Sequence, residues 1–174
     1  MKAGGYNIPS EKFIYKSVEF LVNKFGVNNQ TIFILVFCSD DPSYLVDNAN
    51  LEKLQQYFQS KNFTLERIEF IMKHIHIEIL GTNIGRATQL ALLALMDHKV
   101  ISVGTFSWWA GFLRHRYSEW TEAEKADYSQ TKQSEPDENL IIYYSKPFLP
   151  NSGLSRDFSM EDSYLPHWIG IDDS

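Results

Sequence analysis

The chain switches repeatedly between helical and strand periodicity, and the order of those stretches predicts its architecture. Ile14, Val18, Leu21, Val22 and Phe25 recur every three or four positions, the spacing of one helix face. Ser10 stands before them as a cap, Gly26 ends the run, and Asn28-Asn29 supply a turn. Thr31–Cys38 is almost wholly β-branched, aromatic or aliphatic, which predicts a strand buried on both faces. Ser39-Asp40-Asp41-Pro42 follows at its carboxyl end, with Pro42 suited to the first turn of a short helix. Leu51–Ser60 predicts another helix. Over Ile71–Leu80 the period falls to two, with His74, His76 and Glu78 alternating with Ile75, Ile77 and Ile79. That predicts a strand with one polar face. Gly81–Gly85 reads as a loop, Ala87–Met96 as an apolar helix, and Val100–Val103 as a short buried strand. A turn at Gly104-Thr105-Phe106-Ser107 then opens a further helix. Leu140–Tyr144 is another strand, and the tail carries an aromatic cluster of Tyr164 and Trp168 beside Ile169.

Strands alternating with helices predict an α/β fold, a Rossmann-like parallel sheet flanked by helices. In such folds ligands lie beyond the carboxyl ends of the strands. Asp40-Asp41 and Gly104–Ser107 both occupy such ends. The second matters more. A strand that ends in Gly-Thr and feeds a helix leaves backbone N–H groups without intrahelical partners, and the helix dipole adds to them. Gly104, Thr105, Phe106 and Ser107 therefore form a candidate anion site.

Composition narrows the function. The 174 residues suit one domain, 1–174, with a polar insertion at about 117–139 in which Glu122–Tyr128 predicts a short helix. A net charge of −6 argues against a nucleic-acid backbone or an anionic membrane as main partner, although Arg114, His115 and Arg116 form a local basic patch. The single cysteine, Cys38, permits no intrachain disulfide and sits in an apolar run as a small buried hydrophobe. No stretch has the length of a transmembrane helix, and the first ten residues lack the apolar run of a signal peptide. Any membrane anchor would lie outside this chain.

Other constellations have plainer readings. His74-x-His76-x-Glu78 offers zinc-type ligands on one strand face, but no fourth ligand is assignable, and a solvated face explains it as well. Asp40 and Asp41 are the candidate catalytic carboxylates; capping the next helix is the simpler role. Trp108-Trp109 offers aromatic faces for a sugar or base, or core packing with one ring buried and the other partly so. The chain has no nucleophile elbow, Walker loop or dinucleotide fingerprint.

The stretch ALLALMDHKVISVGTFSWWAGFL closely resembles the last conserved block of glycosyltransferase family 11, the galactoside α-1,2-fucosyltransferases. YLPHWIGI, Tyr164 to Ile171, resembles that family's closing F-L-P-x-W-V-G-I segment, and VFCSDDPSYL, Val36 to Leu45, is similar to a strand and S/T-D-D-P turn of related fucosyltransferases. The resemblance implies the donor-binding half of a GT-B-type enzyme. It implies inverting, metal-independent transfer of L-fucose from GDP-fucose to the 2-hydroxyl of a galactoside. No separate cofactor is implied; the partners are a nucleotide-sugar donor and a galactose-containing glycan, and the compartment is the Golgi. Gly104, Thr105, Phe106, Ser107 and Trp108 would lie by the donor diphosphate. Two departures qualify this. The family's H-x-R-[RT]-x-D motif belongs before the helix that begins at Ser10 and is not in this chain, so a catalytically inactive nucleotide- or glycan-binding relative is the alternative. Relatives also carry an aspartate, able to accept from guanine, where this chain has Gln89, which cannot match both guanine donors.

Overall fold

The computed structural model describes residues 5–28, 30–39, 41, 43, 50–81, 83–113 and 140–174. Its elements, in order, are α1 (Glu11–Phe25), β1 (Phe33–Phe37), α2 (Leu51–Gln59), α3 (Leu65–Lys73), β2 (Ile75–Ile79), α4 (Arg86–Leu95), β3 (Lys99–Ile101), α5 (Thr105–Phe112), β4 (Ile141–Tyr144), α6 (Gly153–Asp157), α7 (Met160–Ser163) and β5 (Ile169–Ile171). The protein is mixed α/β, with small parallel sheets and flanking helices compatible with a Rossmann-like fold. In place of one sheet there are two. β1 pairs with β2, and β3, β4 and β5 form a second sheet in that order, every pairing parallel. The chain divides into two compact units, Ser10–Gln89 with Asp173–Ser174, and Met1–Pro9 with Leu90–Asp172; the boundary falls inside α4.

In the Ser10–Gln89 unit, three helices cover β1 and β2. Tyr15, Val18 and Val22 of α1 meet Leu54 and Phe58 of α2, Ile68 and Ile71 of α3 and Ile75 of β2 in one buried cluster. Burying side chains of this size contributes roughly 1.5–3 kcal/mol each. Ser10 sits at the N-cap of α1 but its side chain makes no cap bond; its backbone N–H donates to the Asp173 carboxylate at 3.0 Å instead. Phe25, expected on the buried face, is exposed at the last residue of the helix. α2 and α3 are capped as their sequences suggest: Asn50 accepts from the N–H groups of Glu52 and Lys53, and Thr64 from that of Arg67.

Three strand expectations need correction here. Thr31–Cys38 is not buried on both faces: Phe33 and Leu35 point into the core, while Ile32 and Ile34 are each 62% exposed. The cluster formed by α1, α2 and α3 takes up the face that carries Phe33 and Leu35. Ile71–Leu80 is not one strand. Its first three residues are the last turn of α3, and His74 caps that helix with Nδ1 2.7 Å from the Phe70 carbonyl oxygen. The strand begins at Ile75. α3 itself was not expected, although Thr64 followed by Leu65, Ile68, Ile71 and Met72 carries its signature. Finally, β3 runs over Lys99–Ile101 with Lys99 and Ile101 inward and Val100 partly exposed, so it begins a residue earlier than its apolar run.

In the other unit, Ile101, Ile141 and Trp168 form the buried centre, with Trp108, Phe112, Tyr143, Tyr164 and Leu165 packed on it. β5, a strand absent from the sequence reading, carries the tail into this sheet through Ile142↔Ile169 and Tyr144↔Ile171. The N-terminal segment joins the same unit by a bridge between Tyr6 and Phe148. The proposed helix at Glu122–Tyr128, the insertion at 117–139 and the patch of Arg114, His115 and Arg116 lie outside the described residues.

Candidate functional site

β3 delivers the chain to Gly104, and the backbone there explains why a glycine stands at this turn. Gly104 has φ 109° and ψ 158°, a conformation open almost solely to glycine. A Cβ at that position would meet nothing within 4 Å, so the demand comes from the backbone and not from crowding. α5 begins at the next residue, with no side-chain cap. Its first intrahelical bond runs from the Trp108 N–H to the Gly104 carbonyl at 3.2 Å. The N–H groups of Thr105, Phe106 and Ser107 precede it and have no intrahelical acceptor. The Ser107 hydroxyl turns back, donating to the Gly104 carbonyl at 3.0 Å and lying 3.4 Å from that of Ser102. Thr105 and Phe106 are exposed.

Aromatic packing fixes the direction of α5. The Trp108 indole N–H donates to the Ser163 carbonyl oxygen at 2.6 Å, and its ring stacks on Phe112 with centroids 5.0 Å apart. Trp168 closes the underside. A Cβ on Gly111 would stand 3.0 Å from its ring, so a small residue is needed where helix and ring meet. Gly111 and Ser163 thus position the turn, and neither was singled out from sequence; the small Ala110-Gly111 pair within an aromatic helix was the available signal. Of the tryptophan pair, Trp108 is half-buried and Trp109 is 46% exposed, so both are more open than expected. Tyr164 stacks on Tyr143 at 4.0 Å, and burial, with Tyr143 beside it, pushes its phenol up to about 12.

Electrostatically the turn is simple. Gly104–Trp108 carries no charged side chain. Its attraction for an anion rests on oriented amides and a short dipole, worth about 0.3–1 kcal/mol at an exposed helix end. Amides of this kind can orient an anion but do not neutralise it.

The remaining candidates lie elsewhere. Gln89, on α4, is buried. Its Oε1 accepts from the Cys38 thiol at 3.4 Å and its Nε2 donates to the Gly81 carbonyl at 3.1 Å, so one amide ties together the ends of β1 and β2. Asp41 is exposed, and its Oδ1 accepts from both the N–H and the hydroxyl of Ser43. That is the capping geometry. Asp40 lies outside the described residues. His74 does not join His76 and Glu78 on a strand face, because it belongs to the end of α3. Among the described residues no three metal-ligating side chains converge.

The chain is similar to galactoside alpha-(1,2)-fucosyltransferase 1 of Sus scrofa. The two are 24% identical over 138 residues, which cover 72% of this chain and 32% of that protein. The chain therefore spans about a third of the length of the curated protein it matches. No family model matches the chain, and no solved structure matches it. The similarity supports a fucosyltransferase-like relationship. Among the described residues no helix is long and apolar enough to cross a membrane.

Proposed function

We propose that the chain is the donor-binding region of a fucosyltransferase-like enzyme, acting as one domain of a GT-B-type protein. In this reading it transfers L-fucose from GDP-fucose to a galactoside 2-hydroxyl, with inversion, without a metal, in the Golgi. The observation that carries the reading is the Gly104 turn: a glycine-only backbone, followed by three amides without intrahelical acceptors, at the carboxyl end of a parallel strand. The similarity to a galactoside fucosyltransferase gives that anion site a reason to hold a diphosphate.

In mechanism, the amides of Thr105, Phe106 and Ser107 would hold the donor's diphosphate oxygens and favour the charge that grows there as the C1–O bond of fucose breaks. The acceptor hydroxyl attacks C1 from the opposite face, loses its proton to a base, and GDP leaves. Asp41 already accepts from the N–H and the hydroxyl of Ser43 through one carboxylate oxygen. Asp40 remains the other candidate. The full positive charge such a leaving group calls for is absent from the turn itself, so a cationic side chain outside Gly104–Trp108 completes the site.

A second reading rests on Gln89. Both ends of its amide are engaged within the fold, so guanine selectivity through this side chain would require breaking the tie between Cys38 and Gly81. A non-catalytic nucleotide- or glycan-binding relative fits that. Transfer of radiolabelled fucose from GDP-fucose to a β-galactoside separates the two. Turnover supports the enzyme, GDP binding without turnover supports the binding relative, and no GDP binding at millimolar ligand contradicts both.

A further inference from the structure

The turn between α2 and α3 carries the tripeptide Asn62-Phe63-Thr64, which has the N-x-[ST] form of an N-glycan acceptor. Tripeptides of this form arise often by chance, and most of the discrimination comes from where the asparagine sits. Lys61 closes the end of α2 with a bond from its N–H to the Phe58 carbonyl, and Asn62 follows in the left-handed region at φ 61°. Asparagine tolerates that conformation better than other side-chain-bearing residues, which accounts for its presence without any contact. Its side chain is exposed and hydrogen-bonds to none of the described residues. Phe63 turns away into the core, where its ring lies 5.1 Å from that of Phe58 and under the Arg67 guanidinium. Thr64 caps α3 and is itself exposed.

We propose that Asn62 is a site of N-linked glycosylation. An oligosaccharide is joined to the asparagine Nδ2 on the growing chain, with loss of the lipid diphosphate that carried it. The folded state then has only to leave that nitrogen in solvent, and the turn does so. A glycan there would stand one turn from Leu65, an exposed apolar residue (61%) at the start of α3, and would shield it. The inference rests on the proposed secretory-pathway location, since the modification happens only in that lumen.

The test maps the site in two samples by glycan release with peptide-N-glycosidase in heavy-oxygen water, followed by peptide mass spectrometry. One sample is the protein purified from its own cells. The other is the same chain placed behind a cleavable signal peptide, with a reporter acceptor at its C-terminus and Asn29→Gln to silence the other N-x-T tripeptide. Heavy aspartate at position 62 in both samples is the expected result. In the directed chain, Asn62→Gly keeps the left-handed turn and abolishes the glycosidase-sensitive mobility shift at this site. Thr64→Ala abolishes it too, whereas Thr64→Ser retains both the shift and the helix cap. An unmodified Asn62 beside an occupied reporter overturns the acceptor site and leaves the fucosyltransferase reading untouched. Modification of the directed chain but not of the natural protein overturns the proposal through its location, and the secretory reading falls with it.

Discussion

At the end of β1, the Asp41 carboxylate accepts from the N–H and hydroxyl of Ser43, and the Asp41 N–H donates to the Ser39 hydroxyl. At the end of β3, Gly104 has no side chain to offer, and Ser107 donates its hydroxyl backwards to carbonyl oxygens. Both places are strand ends of parallel sheets, where α/β proteins gather ligands. One uses its donors internally, whereas the other leaves amides pointing outward. In the proposed reading the anion site lies at the strand end whose side chains leave the amides unsatisfied, and the two cores differ as well. Under β1 the packing is largely aliphatic; under β3 it is aromatic, and an indole hydrogen bond holds α5 in place.

The most damaging way to probe this contrast is to empty each core. Phe58→Ala under β1 and Trp168→Ala under β3 should each cost about 3–5 kcal/mol. The measurement is a fall in the denaturant midpoint. Next comes the glycine. Gly104→Ala meets no steric clash, so its cost is that of the backbone alone, about 1–3 kcal/mol. It should also weaken GDP binding in calorimetry, because relief of the strain turns the first amides of α5. Its counterpart Asp41→Ala should cost about 0.5–2 kcal/mol by loss of a cap and leave GDP affinity unchanged. If the two variants affected GDP binding equally, the contrast between the strand ends would dissolve.

The smallest expected effect is on pH dependence. Tyr164 has its phenol raised from 10.0 to about 12 by burial and by Tyr143. Tyr57, in the other unit, is raised in the same direction by burial and by its hydrogen bond to Glu19. The folded state holds these protons more tightly than the unfolded chain, so their contribution is whole below pH 10; that of Tyr164 is lost as pH rises through about 12, and that of Tyr57 at higher pH still. Thermal midpoints should fall across that window, and Tyr164→Phe should flatten part of the slope. A slope unchanged by that substitution would remove Tyr164 from the account.

Much of this was legible in sequence because local chemistry decided it. α1, α2, α4 and α5 follow from periodicity, with Gly26 and Gly104 as punctuation. The α3–β2 boundary was obscured because Ile71 serves the helix period while Ile75, Ile77 and Ile79 set a strand period that extrapolates back onto it. The separation into two sheets, and the exposure of Ile32 and Ile34, depend on which strands pair across long stretches of chain, which no local pattern encodes. The strand-to-helix turn, with a glycine at its start, was readable from Gly104-Thr105 alone. Its support by Gly111, Ser163 and Trp168 was not, because those contacts join residues far apart in sequence. Gln89 shows the converse: a position marked out by a family likeness is also a tie between two strand ends, visible only once Cys38 and Gly81 are placed beside it.

The central claim is that the first amides of α5 hold the diphosphate of a nucleotide sugar. Titrating GDP into isotopically labelled protein and following the backbone amide resonances tests it most directly. The largest shifts should fall on Thr105, Phe106 and Ser107, guanosine without phosphates should leave them in place, and Gly104→Ala should reduce them. Saturable shifts that spare these three amides, or the same shifts with guanosine alone, would contradict it.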